Sequence, residues 1–169
     1  MAVIYTKAGD KGKAKGFRGN AKLKNDIVFE ALGTVDELSA SLGLSRVSSA
    51  SLRVREIIEQ IQKDLIGLSA LLAGSENRSN NIAGRIKQME EVIDKIKDEI
   101  KIESKFILSG ENFSSSYLHL SRTICRRAER RIVELAEQDS GANILIPYFN
   151  RLSDLLFALA LFSSQRISL

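Results

Sequence analysis

Two stretches of the chain place apolar residues at alternating spacings of four and three. The first is Val54, Ile58, Ile61, Leu65, Leu68 and Leu72; the second is Ile82, Ile86, Met89, Ile93, Ile96 and Ile100. A period of 3.5 residues lays each set along one side of an α-helix. A helix with one narrow apolar stripe cannot hide it alone and must pack against other helices. The turn between the two is the Gly-Ser-Glu-Asn-Arg-Ser-Asn-Asn stretch at 74–81. These seams commit the chain to a helical bundle.

The rest of the sequence supplies the partners. Ile27, Leu32, Val35, Leu38 and Leu42 predict a helix from Ile27 to about Val47, carrying Gly33 and Gly43. Each glycine weakens a helix interior by about 1 kcal/mol relative to alanine. Residues 103–112 break the period and hold Phe106 and Gly110 in a loop. A fourth helix follows from about Ser114 to Gln138, with Tyr117, Leu120, Ile124, Ala128, Ile132 and Leu135 as its buried face. Asp139-Ser140-Gly141 stops it. The chain's only proline, Pro147, suits the first turn of a fifth helix bearing Leu152, Leu155, Leu156, Leu159 and Phe162. The expected architecture is one domain spanning residues 1–169, with a Gly/Lys-rich loop over 1–26 and an all-α bundle of about five helices over 27–169.

Composition narrows the function. One His and one Cys leave no basis for a His-built metal cluster, a Ser/His triad or a disulfide framework. No signal peptide and no run of 18 apolar residues is evident, so a soluble, intracellular and cytoplasmic protein is expected. The net charge of +4 is concentrated. Between Thr6 and Asn25 stand Lys7, Lys11, Lys13, Lys15, Arg18, Lys22 and Lys24, against Asp10 alone. A local cationic segment points to a local anion such as phosphate.

Three constellations are candidates for chemistry. The first is Tyr5-Thr6-Lys7-Ala8-Gly9-Asp10-Lys11-Gly12, whose glycines expose backbone N–H groups and whose lysines supply charge. It lacks the Walker A order, and on composition a basic tail is an equal reading. The second is Arg122 through Arg131. Arg122, Arg126 and Glu129 share a helix face, and Arg130 lies one turn beyond Arg126. Arginine forks fit phosphate and carboxylate, although such a run is most often a solvated face. The third is Asn150-Arg151-Leu152-Ser153-Asp154, with Asn150 and Asp154 one turn apart. His119 and Cys125 read first as structural residues, and Phe106 as a core anchor.

Taken in order, five segments resemble the PduO-type ATP:cob(I)alamin adenosyltransferases. They are Ile4-Tyr5-Thr6-Lys7-x-Gly9-Asp10-Lys11-Gly12, Glu30-Ala31-x-Gly33-Thr34-Val35-Asp36-Glu37-Leu38, Phe106-Ile107-Leu108, Arg122-x-x-Cys125-Arg126-Arg127-Ala128-Glu129-Arg130, and Asn150 to Phe157. The resemblance implies a five-helix bundle with ferritin-like up-and-down packing, assembled as a homotrimer with sites between subunits. It implies transfer of the 5′-deoxyadenosyl group of ATP to the Co(I) of a reduced corrinoid, with magnesium accompanying ATP. Thr6, Lys7, Ala8, Gly9 and Asp10 would hold the triphosphate, with Lys24 as a further phosphate-side lysine. Arg126, Arg127, Ala128, Glu129, Arg130 and Asn150 would complete the ATP site. Asp36 would pair with Arg122 across the interface, and Phe106 would sit by the lower face of the corrin. A reductase and a B12-dependent acceptor enzyme are implied as partners; nucleic acid and membrane are not. The chain departs from the family pattern at Lys13-Ala14-Lys15, where hydroxyl side chains are usual and Lys15 substitutes a cation, and at Leu108-Ser109-Gly110. On the residues alone, an ATP-binding helical sensor without catalysis and a basic nucleic-acid-binding module stay open.

Overall fold

The computed structural model describes residues 4–15, 21–75, 81–100 and 108–165. Phe106 and Ile107, expected in the loop before the fourth long helix, lie outside these residues, as does Arg18. Two short strands, β1 (Lys13–Lys15) and β2 (Ala21–Leu23), precede five helices: α1 (Ile27–Ser48), α2 (Leu52–Leu72), α3 (Ile82–Glu99), α4 (Phe113–Gln138) and α5 (Ile146–Gln165). A 3₁₀ turn over Ser140–Leu145 links α4 to α5. The strands correct the expectation of an unbroken loop over 1–26. They pair antiparallel, with Lys13 opposite Leu23, Ala14 opposite Lys22 and Lys15 opposite Ala21. Backbone pairing satisfies their N–H and C=O groups although their side chains bury almost nothing.

The helix starts follow side-chain capping. Asp26 accepts from the Val28 N–H at 3.1 Å and opens α1. Ser51, Asn81 and Asn112 do the same for α2, α3 and α4, each cap relieving one of the unpaired N–H groups of a first turn. Asp139 ends α4 and caps the 3₁₀ turn that follows. Pro147 is the second residue of α5.

α1 packs on α2 and α4, α4 on α5, and α5 on α3. All six seam residues of α2 are buried. On α3, Ile82, Met89 and Ile96 are buried, while Ile86, Ile93 and Ile100 pack half-buried at the edge. Two faces differ from expectation. On α1 the buried position is Ala31, with Leu32 half-buried. On α4, Leu120 is 47% exposed and Tyr117 half-buried, while Leu118, Ser121 and Cys125 turn inward. The cause is backbone approach. Ser121 meets Ser41 and Ser45 of α1, hydroxyl to hydroxyl, at 3.0 and 3.3 Å. Small paired hydroxyls admit closer packing than Leu120 would. α5 is the central helix: Phe149, Leu152, Leu155, Leu156, Leu159 and Phe162 are all at most 1% exposed. Burying each such side chain contributes about 1.5–3 kcal/mol. The 3₁₀ turn and α5 together are long and apolar enough to cross a membrane, but most of that stretch is buried inside the bundle, as a core helix requires.

Candidate active site

The N-terminal loop is built to expose donors. Thr6 Oγ1 accepts from the Ala8 N–H at 3.4 Å. Lys7 has φ 60° and Gly12 φ 71°. A left-handed residue within a turn makes successive N–H groups face one side, the geometry of an anion-binding nest. Lysine holds this conformation at a cost that glycine would not incur. The Asp10 N–H donates to Lys7 O and the Gly12 N–H to Gly9 O, both at 3.2 Å, and the Lys24 N–H donates to Gly12 O at 2.9 Å. Lys24 thereby folds over the loop. A Cβ added to Gly9 would come within 2.8 Å of Lys24 Nζ, so a larger residue at position 9 would push that ammonium aside. Lys22 is occupied by Asp26 at 3.0 Å. Lys13 and Lys15 project from the same side of β1 and are exposed.

On α4 the arginines divide by face. Arg127 is held by Glu37 of α1. Arg126 and Arg130 are exposed and have no hydrogen-bond or ion-pair partner among the described residues. Glu129 Oε1 accepts from Asn150 Nδ2 at 3.1 Å, which joins α4 to α5. Ala128 is fully buried, so its methyl belongs to the core. Arg122 stands 5.9 Å from the Phe157 ring, and its buried Nε lacks any partner among the described residues. His119 packs edge-on to the same ring at 6.1 Å. Burial lowers the pKa of His119, reinforced by the Arg122 charge. Cys125 is buried and its thiol donates to Phe149 O at 3.4 Å. Burial pushes its pKa up, which removes it as a nucleophile.

Asp36 is exposed on α1, and within one chain no ion pair among the described residues joins it to Arg122. Among the described residues, then, no hydrogen bond or ion pair links the N-terminal loop to the arginine face of α4. Phe157 was not singled out from sequence. Its signal is an exposed aromatic, 38% accessible, on a helix otherwise buried nearly all round.

The family described as cobalamin adenosyltransferase matches residues 4–163. The chain belongs to the cobalamin adenosyltransferase family. It is 39% identical over 163 residues to the corrinoid adenosyltransferase PduO of Salmonella typhimurium, covering 94% of this chain and 48% of that one. It is 39% identical over 174 residues to the human corrinoid adenosyltransferase MMAB, covering 96% and 69%. The chain thus spans about half of the Salmonella relative and over two thirds of the human one. Among solved structures, it matches a variant PduO-type ATP:corrinoid adenosyltransferase from Lactobacillus reuteri, complexed with cobalamin and ATP. There the TM-score is 0.89 and the identity 32%, covering 96% of this chain and 93% of that one. The five-helix architecture of the family is therefore the architecture of this chain.

Proposed function

We propose that the chain is an ATP:corrinoid adenosyltransferase whose catalytic unit is assembled between copies, acting in the cytoplasm. The observation that carries this reading is the orphaned cationic face of α4. Arg122 Nε is buried without an acceptor among the described residues, and a buried donor left unpaired costs about 1–3 kcal/mol. Arg126 and Arg130 point out from the same helix, separated from the phosphate-type loop of their own chain. A neighbouring copy supplies both complements: its Asp36 accepts from Arg122, and its loop brings a triphosphate to Arg126 and Arg130. Exposed Leu44, Val47, Phe113 and Leu120 give that interface its apolar component, and a homotrimer closes it.

The reaction is a displacement in which the substrate corrinoid provides the nucleophile. Co(I) attacks C5′ of ATP, the C5′–O bond breaks, and triphosphate leaves with the electron pair. The protein need supply neither a base nor a nucleophile, which fits one buried Cys and one buried His. Its tasks are to hold cobalt and C5′ in line and to stabilise charge on the departing triphosphate. Lys7, Lys24, the loop N–H groups and Arg126 do the second. Asn150 holds Glu129 beside the arginines. By resemblance, magnesium would accompany ATP as part of the substrate. Phe106 is assigned to the lower corrin face by resemblance, with Phe157 and Arg122 as further contacts. A reductase supplying Co(I) and an acceptor enzyme for the product complete the expected partners.

The test is anaerobic mixing with chemically reduced cob(I)alamin and Mg-ATP. Light-sensitive adenosylcobalamin formed above the protein-free control supports the reading. ATP binding with no product overturns it in favour of a nucleotide sensor.

A further inference from the structure

At the opposite end of α1 from the N-terminal loop lies a cavity of about 460 Å³, whose lining includes Ser49, Leu52, Arg53, Ser114, Phe162 and Ser163. Four features converge on it. Leu52 and Arg53 are the first two residues of α2, and Ser114 is the second of α4, so two helix N-termini open on one space. The caps Ser51 and Asn112 take the N–H groups of Val54 and Ser115, which leaves the earlier N–H groups of both first turns for another acceptor. Arg53 stands at the wall, 5.4 Å from the Phe162 ring. It gives one of its N–H groups to Glu99 and retains others of its five. Ser114 and Ser163 are 5% and 8% exposed, and neither hydroxyl has a partner among the described residues.

Two orphaned hydroxyls at one cavity are costly in a bundle that pairs Ser41, Ser45 and Ser121 with one another. Neither donates to an acceptor among the described residues, so both are available to a ligand that offers one. The charge balance says of what kind. Each helix N-terminus carries about half a positive charge, and Arg53 adds one, against Glu99. The last carbonyls of α5 do not oppose this: Ser163 O accepts from Asn112 Nδ2 at 3.0 Å and Leu161 O from Ser164 Oγ at 2.8 Å. We propose that this cavity is a second anion site, taking a phosphate group on Ser114, Ser163, Arg53 and the first turns of α2 and α4.

Residue-resolved amide shifts of the full-length protein, titrated separately with inorganic phosphate and inorganic triphosphate, test it. Saturable shifts at Leu52, Arg53, Phe113 and Ser114 are expected for at least one of the two. The tighter of the two arms identifies whether a free phosphate or a polyphosphate end is the natural source. Arg53→Gln should weaken the binding about tenfold, as loss of a charge-assisted hydrogen bond does. The Ser114→Ala and Ser163→Ala pair should weaken it as well, while raising the thermal midpoint in phosphate-free buffer because orphaned hydroxyls are removed. Shifts confined to the N-terminal loop, or affinity at these amides unchanged in both sets of variants, would overturn the proposal.

Discussion

Where α2, α3 and α5 meet, charged groups end on one another. Asp64 accepts from Arg85 Nε at 2.8 Å and from the Tyr148 hydroxyl at 3.0 Å. Arg151 donates to Glu90 of α3 at 3.0 Å and to Asp154 at 2.8 Å. Where α1 and α4 meet the solvent, among the described residues Arg122 Nε has no acceptor and Arg126 and Arg130 have no partner, and Phe113 and Val47 are 77% and 81% exposed. The first side completes itself; the second is complementary to something outside the chain. Unpaired polar groups cost stability, so their concentration on one face marks where binding energy is collected. Substitutions on the two sides should therefore fail differently, one set in folding and the other in activity.

The largest contrast is expected at Arg126. Arg126→Ala removes a charge proposed to face the leaving triphosphate and should lower turnover about 10³-fold. Its exposure leaves stability within about 0.5 kcal/mol of the parent. Steady-state adenosylation and thermal melting measured on one preparation decide it, and near-normal turnover removes the assignment. Asp64→Ala is the mirror experiment. It strands the Tyr148 hydroxyl and Arg85 and should cost about 3 kcal/mol in denaturant unfolding, while the KM for ATP in the folded fraction stays unchanged. A stable but inactive Asp64→Ala protein would erase the distinction between the faces.

The assembly claim comes next in size. Asp36→Asn keeps shape but withdraws the charge proposed to meet a neighbour's Arg122. About a tenfold weaker self-association, or corrinoid affinity lowered to the same degree, follows from losing one charge-assisted contact. Light scattering over a dilution series reads the first and equilibrium titration with cob(II)alamin the second. Intact assembly together with unchanged corrinoid affinity removes the pairing.

How far the sequence reached follows the same division. The α2 seam was fully legible because six aliphatic residues at one period have only one way to be buried together. The α4 face was misread at Tyr117 and Leu120, since a rule that counts large apolar side chains cannot see three serines closing a tight contact. The β1–β2 pairing was missed because six backbone-satisfying residues carry no apolar alternation. Within the site, the loop and the arginine face were legible as types of residue. That they would meet between copies came only from the family resemblance, because helix periodicity says which face a residue is on and nothing about which copy meets it. Phe157 escaped because an aromatic on an apolar helix looks like core until the other faces are shown to be filled.

Smaller effects sharpen the self-completing side. Asp26 caps α1, and its pKa is lowered by the Val28 N–H first and by Lys22 second. Asp26→Ala should cost about 1 kcal/mol at neutral pH. A carboxyl with a depressed folded pKa stabilises above its unfolded value, near 3.8, and that contribution is lost as pH falls through the folded one. The difference between parent and variant should therefore close in acid, and a gap independent of pH would assign the cost to lost packing instead.

The smallest effect belongs to His119, which sits between the two sides. Burial lowers its pKa from 6.5, Arg122 lowers it further, and Glu111 opposes weakly. The unfolded chain then takes up a proton near pH 6.5 while the folded one does not. Stability contributed by the neutral ring is present above pH 6.5 and declines as pH falls toward the folded value. His119→Gln should flatten this part of the stability profile. Since Arg122 is one of the two charges acting on the ring, the decline should also be shallower in Arg122→Gln, and shallower to a lesser degree in the parent if an acceptor such as a neighbour's Asp36 is seated on Arg122. Measuring the profile above and below the concentration at which copies separate thus reads, from a buried histidine, whether Arg122 has found its partner; a profile unmoved by concentration would mean that the arginine stays orphaned in the assembly too.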